Sequence, residues 1–448
     1  MNLQTRKIFD RAFSGSGLLA IGLMAAALVI LLAPMFIRGS RAFFFQGTVE
    51  HRRFLLEKFE RGNRAEVEAE IRAAEEARAP VWRMLAEFDQ ALAAGDAALR
   101  KQYRVPLKEL RKELQFLLGP EPGKPRPMLM RDQYGQTRLD LARRGLEHVL
   151  WREEWDYSDP TQGGVRVLKP RAADFQGTAL APLFAYVETN FARMLQPRRT
   201  FYWRFLTDDS FDAHFFGGIW AELLGTFYLT LGTMLLAVPM GLIAAIYLTE
   251  YARETPFLSF LRTCINTLAG VPSIVFGLFG LAFFINTARV SPSKSVLAGS
   301  LTLALMILPT VIRAAEEAIK AVPRAYKEAA LSLGAGRWHT VWTVILPAAL
   351  PGILTGIVIS MGRAAGETAP IIFTAAVSVG KPLALWQTLT QPTPALSWNI
   401  YNLATEHEAV DLVRHVQYGL VLTLVGLVLL LNLLAIVLRA RIARRMRG

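Results

Sequence analysis

Glu328-Ala329-Ala330-Leu331-Ser332-Leu333-Gly334, followed ten residues later by Val344-Ile345-Leu346-Pro347, decides how this chain is read. The stretch sits between two long apolar segments. Its form is a short polar-faced helix, a glycine turn, and a second helix that runs back into a membrane. Pro323 suits a helix start, where its missing N–H costs nothing. Tyr326, Ala329, Ala330 and Leu333 share one face, with Arg324, Lys327 and Glu328 beside or opposite it. Gly334 takes the left-handed conformation that ends such a helix. The two alanines keep the face thin, so a partner approaches closely. Trp338 and Trp342, four apart, begin the next helix and suit an interface. On composition alone, an amphipathic loop on the inner leaflet fits as well as a docking element gripped from the cytoplasm.

The rest of the chain favours a membrane protein with one large soluble part. Hydrophobic residues make up 52%, yet 19% are charged, which requires the charges to be segregated. Residues 39–216 hold 29 of the 50 Lys and Arg and 26 of the 37 Asp and Glu. Most of the +13 net charge therefore belongs to the apolar remainder, at the ends of its hydrophobic runs. That placement points to membrane orientation and anionic lipid, not to nucleic acid. An uncharged run of roughly 20 apolar residues crosses a bilayer as a helix, because its backbone is satisfied internally. Six runs qualify: about Gly17 to Ile37, Ile219 to Leu248, Cys264 to Ile285, Ser295 to Ile312, Ala348 to Val377 and Tyr418 to Leu438. The first is too long for a signal peptide, and Pro34-Met35-Phe36 is no small-residue cleavage site.

Basic residues set the orientation. Arg6, Lys7 and Arg11 precede the first run, and Arg253 and Arg262 lie between the second and third. Arg313, Lys320, Arg324, Lys327 and Arg337 lie between the fourth and fifth, and Arg439, Arg441, Arg444, Arg445 and Arg447 follow the sixth. The opposite face offers Arg289, Lys294, Lys381 and Arg414 in its short loops. Both termini are expected in the cytoplasm, and the long segment after the first run outside. The single cysteine, Cys264, excludes an internal disulfide framework or a Cys-ligated metal.

Within the long segment, Phe54, Leu55, Phe59, Val67, Ile71, Trp82, Leu85, Phe88 and Leu92 recur at helical spacing, with breaks near Gly62-Asn63 and Ala94-Gly95. Three or more helices are expected up to Leu118, then a turn-rich link at Glu121-Pro122-Gly123-Lys124-Pro125. From Met128 to about Leu195 the pattern is mixed, with strands around Gly163 to Leu168. His148 has no Ser or Cys near it in sequence, so a spacer or partner-binding cap is the expected role. Phe201 to Phe216, aromatic and carrying Asp208, Asp209 and Asp212, reads as an interfacial segment on the outer leaflet.

In the fifth run Arg363 and Glu367 are four apart on one helix face, and each would cost a few kcal/mol against lipid. One reading is a mutual ion pair that locks helices. The other is an electropositive point on an anion route, since the guanidinium fork gives paired donors to a tetrahedral oxyanion. Glu367 then balances Arg363 when no anion is present.

Glu-Ala-Ala, three residues, Gly, nine residues, an aliphatic, one residue and Leu-Pro resembles the EAA loop of ABC-importer permeases. Every fixed position is matched from Glu328, Ala329, Ala330 and Gly334 to Val344, Leu346 and Pro347, with Val replacing the more usual Ile. The resemblance implies that the loop docks into a groove on a cytoplasmic ATPase subunit. It also implies a second permease subunit, an ATPase dimer and an external binding protein. The chain has no Gly-x-x-x-x-Gly-Lys-Ser/Thr motif, so ATP phosphates are not cradled here by that route. Gly362-Arg363-Ala364-Ala365-Gly366-Glu367-Thr368-Ala369-Pro370 resembles a segment of phosphate-importer permeases of the PstA type, as does Leu268-Ala269-Gly270-Val271-Pro272-Ser273-Ile274-Val275-Phe276-Gly277-Leu278. These matches cover about Ala221 to Leu438. The long segment departs from the family, in which many members have only a short loop there.

The expected fold is an all-α membrane protein: six transmembrane helices of the type I ABC-importer permease fold, plus a largely helical extracytoplasmic domain with some α+β character. The expected boundaries are 1–38, 39–217, 218–438 with a coupling loop at 313–347, and a basic tail at 439–448. The resemblance implies a non-catalytic inner-membrane permease for inorganic phosphate, without a cofactor or metal. Arg363, Glu367 and Thr368 would line the substrate path, and Glu328 to Gly334 with Leu346-Pro347 would couple to the ATPase. Its implied partners are a PstC-type permease, a PstB-type ATPase dimer, a PstS-type phosphate-binding protein, phosphate and the lipid bilayer. Other oxyanions (sulfate, molybdate, phosphonate) keep the same machine with different cargo. A membrane receptor is disfavoured by the short inner loops, and an intramembrane enzyme by the lack of paired Asp, zinc or Ser–His arrangements.

Overall fold

The computed structural model describes residues 3–447 except 122, 125–128, 130–134 and 157–164. Pro122 and Pro125 of the expected link, and Gly163 at the expected strand, lie outside the described residues, as do the side chains of Arg6, Lys7, Arg11, Arg445 and Arg447. The chain forms two compact units, one of residues 1–42 with 203–448 and the other of residues 43–202.

The first unit holds the membrane helices. Among the described residues, five helices are long and apolar enough to span: Ala12–Phe43, Trp220–Tyr251, Val296–Lys320, Arg337–Gly366 and Val410–Arg441. The third expected span is a broken pair, Pro256–Leu268 and Ser273–Thr287, bent by 99°. The cause is local. Pro272 has no N–H to donate and steers Val271 away from helical backbone, next to Gly270.

Two other expected runs also change. Val296–Lys320 continues past Ile312, because the Arg313 to Lys320 stretch is rich in helix formers and carries an i,i+4 pair, Lys320 to Glu316 at 3.2 Å. The run expected from Ala348 to Val377 is two helices, Leu346–Gly366 and Ala369–Thr374, with Glu367 in extended conformation between them.

Val296–Lys320 is the centre of this unit, and 67% of its apolar window is buried, against none for Ala12–Phe43. Neighbours approach it through small residues. Gly352 and Gly356 face Ala318 and Ala314, and a Cβ at position 356 would lie 2.3 Å from the Ala314 Cβ. This small-xxx-small contact lets two backbones close without side-chain interdigitation. Ala245, Ile246, Ile319, Val341, Ile345 and Ile353 complete the packing on the side of the helix–turn element.

The aromatic segment before Trp220 is folded into a compact turn. Ser210–Phe211 pairs with Phe216–Gly217, Ile219 N–H donates to Phe205 O at 2.8 Å, and Trp220 N–H donates to Asp208 O at 3.1 Å. Phe205, Asp208, His214 and Ile219 are buried. The turn is strained: Asp212, Ala213 and His214 have φ of 51°, 51° and 71°. Left-handed backbone costs roughly 1–2 kcal/mol per non-glycine residue, so tertiary contacts hold it.

In the second unit the helices Val49–Phe59, Arg64–Ala94 and Ala97–Leu118 break where the sequence places breaks, and Asn63 caps the second through Ala65 N–H at 3.1 Å. Past Leu118 the structure adds two helices, Leu139–Leu150 and Ala181–Leu195, whose short apolar stripes are less legible than the longer ones before them. Leu85, Leu110, Leu114, Phe175, Val187 and Met194 form the core. Phe44–Gly47 pairs antiparallel with Arg198–Phe201, joining the unit's two ends. Trp151–Asp156 pairs with Val165–Pro170. His148 is exposed, and its carbonyl accepts Arg171 Nε at 3.0 Å.

His51 is buried edge-on to Phe45 and Tyr202. Burial first, then the charges of Arg138 and Arg52, lower its pKa from 6.5 to about 3. The folded unit therefore keeps this ring neutral, while the unfolded chain takes up a proton below the ordinary value. Its contribution is intact above about pH 6.5 and falls as the pH drops toward 3, by about 2 kcal/mol between pH 7 and pH 5. Amide exchange over residues 49–195 of the whole protein is expected to show this loss. His51→Phe, which keeps the ring contacts, is expected to remove it; an unchanged pH dependence in that variant contradicts the assignment.

Candidate functional site

The helix–turn element begins with helix Arg324–Ser332, which follows Pro323 and buries none of its residues. It ends in a Schellman motif. Ala335 N–H donates to Ala330 O at 3.1 Å, Gly334 N–H donates to Leu331 O at 3.0 Å, and Gly334 has φ +85°. Glu328 and Ala329 are exposed and Ala330 is half-buried. Leu333 is 89% exposed, an apolar side chain that none of the described residues covers. Trp338 and Trp342 stack at 5.7 Å and both face out.

An ion pair fixes this element to the membrane helices. Lys327 pairs with Glu250 in the π-helical turn Tyr247–Tyr251 that ends the second span. A cleft beneath the helix is lined by Thr249, Glu250, Ile319, Leu331 and Ile345. Leu346 and Pro347 open helix Leu346–Gly366, directly after the π-turn Val341–Ile345. Proline lacks the N–H for the ladder and crowds the carbonyl four residues back, so the widened turn is its natural consequence.

The same helix ends at the second candidate site. Arg363 Nε donates to Glu367 Oε1 at 3.2 Å, with the side chains 44% and 19% exposed. Glu367 is not on the helix: it follows the last helical residue, Gly366, in extended backbone, and the i,i+4 contact persists across the helix end. The neighbouring Gly362 meets Val428 Cγ1, so the pair sits level with the middle of the Val410–Arg441 span. Thr368 is half-buried, and its carbonyl accepts Ile372 N–H at 3.3 Å to start helix Ala369–Thr374. Gly277 lies against this break, where a Cβ would be 2.9 Å from Pro370 Cα. The two sequence stretches singled out around Pro272 and Glu367 therefore pack on each other.

Residues 237–448 match the family described as binding-protein-dependent transport system inner membrane component. A probable ABC transporter permease, YqgI of Bacillus subtilis, is 35% identical over 235 residues, 52% of this chain and 72% of that protein. The chain belongs to the binding-protein-dependent ABC permeases. PstA 1 of Mycobacterium tuberculosis (strain H37Rv), a phosphate transport system permease protein, is 37% identical over 238 residues, 52% of this chain and 73% of that protein. PstA of Yersinia pestis is 36% identical over 226 residues, 50% and 73%. A structure of the MetNI methionine ABC transporter in inward-facing form overlays 50% of this chain and 97% of its own, at 18% identity and TM-score 0.40.

This permease is a multi-pass inner-membrane protein, the membrane subunit of an ABC importer. Its family implies an ATPase partner and a substrate-binding protein, and the ATPase activity lies on the partner. The family match begins at residue 237, so it leaves out the unit of residues 43–202.

Sequence reasoning misses two polar partners in this permease. Arg313 is a charge inside helix Val296–Lys320, and its Nε and Nη2 both donate to Asn266 Oδ1, at 2.9 and 2.5 Å. Ser397 Oγ donates to the Glu367 carbonyl at 3.0 Å from helix Leu396–Thr405. Arg313 reads as loop charge only if its helix ends at Ile312. Ser397 lies thirty residues beyond Glu367, and no local pattern links them.

Proposed function

We propose that this protein is the PstA-type permease subunit of an ATP-driven inorganic phosphate importer. The observation that carries the reading is one helix with a functional group at each end. Helix Leu346–Gly366 begins beside the helix–turn element and ends at Arg363, a half-exposed cation in mid-span balanced by a single carboxylate. A guanidinium in that setting attracts a tetrahedral oxyanion through paired donors, and Glu367 keeps the empty site from remaining an uncompensated charge. Thr368 adds a hydroxyl beside the pair. The PstA relatives support phosphate as the cargo.

In this reading Glu328, Ala329, Ala330 and Gly334 dock on a PstB-type ATPase, with Leu346-Pro347 passing its movement into the helix. A PstC-type subunit completes the path and a PstS-type protein delivers phosphate. The basic helix ends favour cytoplasmic termini, with residues 39–217 outside, 218–438 as the transport core containing a coupling loop at 313–347, and 439–448 as an inner tail. Deleting the gene is expected to abolish high-affinity phosphate uptake by cells and to leave sulfate uptake unchanged. Unchanged phosphate uptake, with sulfate or molybdate uptake lost, overturns the cargo assignment.

A further inference from the structure

At the end of the membrane unit opposite the helix–turn element lies a buried polar cluster that the transport reading does not use. His214 Nε2 and Glu222 Oε1 are 2.7 Å apart, and Asn399 Nδ2 donates to the same oxygen at 3.0 Å. Asn399 Nδ2 is also 3.2 Å from His214 Nε2. All three residues are at least nine-tenths buried. Glu222 stands in the first turn of helix Trp220–Ile246, where the helix dipole favours an anion.

The cluster grips two elements. One is the strained turn that carries His214. His407 Nδ1 accepts Ala409 N–H at 3.1 Å, so its Nε2 carries the proton and donates to Ala213 O at 2.9 Å. The left-handed residues Asp212, Ala213 and His214 are thus held by one histidine from outside and one from within. The other element is helix Leu396–Thr405. Its first N–H, from Leu396, donates to Thr226 Oγ1 at 2.8 Å, and Thr226 in turn donates to Glu222 O at 2.8 Å. Gly225 lets the backbone before this helix come close: a Cβ there would lie 2.0 Å from Pro394 O. Ser397, one residue past Leu396, then reaches Glu367 O.

Polar contacts therefore hold the first turn of helix Leu396–Thr405 on two sides: His214 and Glu222 through Asn399, and, from Ser397 in the same turn, Glu367, the partner of Arg363. Glu367 needs such a support. It lies past the end of its helix, with no helical hydrogen bonding to hold its carbonyl. We propose that His214, Glu222 and Asn399 are positioning residues for the Arg363–Glu367 pair: they fix helix Leu396–Thr405, whose Ser397 hydroxyl sets where Glu367 can balance Arg363. The proposal rests on the reading that Arg363 lies on the anion path.

The test uses the whole reconstituted complex and radiolabelled inorganic phosphate. Ser397→Ala and Asn399→Ala loosen the balance of Arg363 by Glu367, and are each expected to lower the apparent KM for phosphate by about 3- to 10-fold together with the maximal rate, with ATPase co-purification kept. Glu222→Ala removes the oxygen that His214 and Asn399 share and is expected to shift KM in the same direction, and Glu222→Gln, which keeps an acceptor there, is expected to restore it toward the unmodified value. In an Arg363→Ala background, Asn399→Ala is expected to add nothing; additive effects overturn the proposal. Ser397→Ala removes one hydroxyl and carries the same comparisons if Asn399→Ala does not fold.

A second arm does not depend on transport. In a Cys264→Ser background, Gly366→Cys, which has open space around it, is labelled with a small thiol reagent. Ser397→Ala is expected to change the labelling rate by at least about twofold. If Arg363→Ala leaves uptake unchanged, the path reading fails and this arm alone judges the positioning claim; an unchanged labelling rate overturns it.

Discussion

Arg363→Ala is expected to lower phosphate uptake by about 10- to 100-fold while the complex still assembles. Hydrogen bonds to charged groups contribute roughly 1.5–3 kcal/mol, and each 1.4 kcal/mol is about tenfold. Arg363 is half-exposed and pairs with Glu367 at the surface of its helix, so its removal opens no cavity in a packed core. Assembly and the ATPase-facing element should survive for that reason. Arg363→Lys keeps the charge but loses the planar fork, and is expected to fall between the two. Glu367→Gln is informative in the other direction. It leaves Arg363 without its carboxylate, so phosphate should be held more tightly and released more slowly, with a lower KM and a lower maximal rate. Uptake by vesicles carrying the whole complex, with assembly checked by co-purification, measures all three. Uptake unchanged in Arg363→Ala removes the residue from the path.

Leu333→Asp is expected to release the ATPase partner. Leu333 is 89% exposed on an element whose helix buries nothing within this chain, so the substitution costs the permease fold little. A desolvated apolar contact at the centre of an interface is worth about 2 kcal/mol or more, or at least about 30-fold in affinity. Co-purification of the ATPase should be lost together with uptake, while the thermal stability of the isolated permease stays unchanged. Glu328→Ala and Ala329→Trp probe the same face by charge and by bulk. Retained ATPase binding in Leu333→Asp would show that the partner grips another surface.

Local signals carry most of what is legible in the sequence. The Schellman turn at Gly334, the helix after Pro323 and the breaks at Gly62-Asn63 and Ala94-Gly95 are each written within a few residues of where they occur. The six apolar runs likewise report that helices cross a membrane, since hydropathy is a property of each run alone. Run boundaries are less legible. Hydropathy stops at Ile312, but the helix continues to Lys320 because backbone hydrogen bonding does not end where lipid ends. The break at Pro272 and the end at Gly366 are punctuated by proline and glycine inside apolar sequence, which a run of hydrophobic residues hides.

Long-range polar pairing is not legible at all. Glu222 reads as an interruption in an apolar run, yet its partners are 8 and 177 residues away. Asp212 reads as a polar residue of an interfacial segment, and only the tertiary structure shows a strained turn held by one buried and one half-buried histidine. Buried carboxylates find partners wherever the fold brings donors, and sequence spacing carries no record of that.

In the proposed function, ATP-driven movement at the helix–turn element serves an anion path through Arg363 for phosphate. This is tested most directly by radiolabelled phosphate uptake into vesicles holding the assembled complex, with ATP supplied on the ATPase side and sulfate and molybdate run in parallel. Phosphate should accumulate only with ATP and binding protein, and should do so 10- to 100-fold more slowly with Arg363→Ala, about the loss expected for a charged hydrogen bond. A complex that hydrolyses ATP but accumulates sulfate or molybdate instead of phosphate, or that ignores Arg363→Ala, contradicts the account.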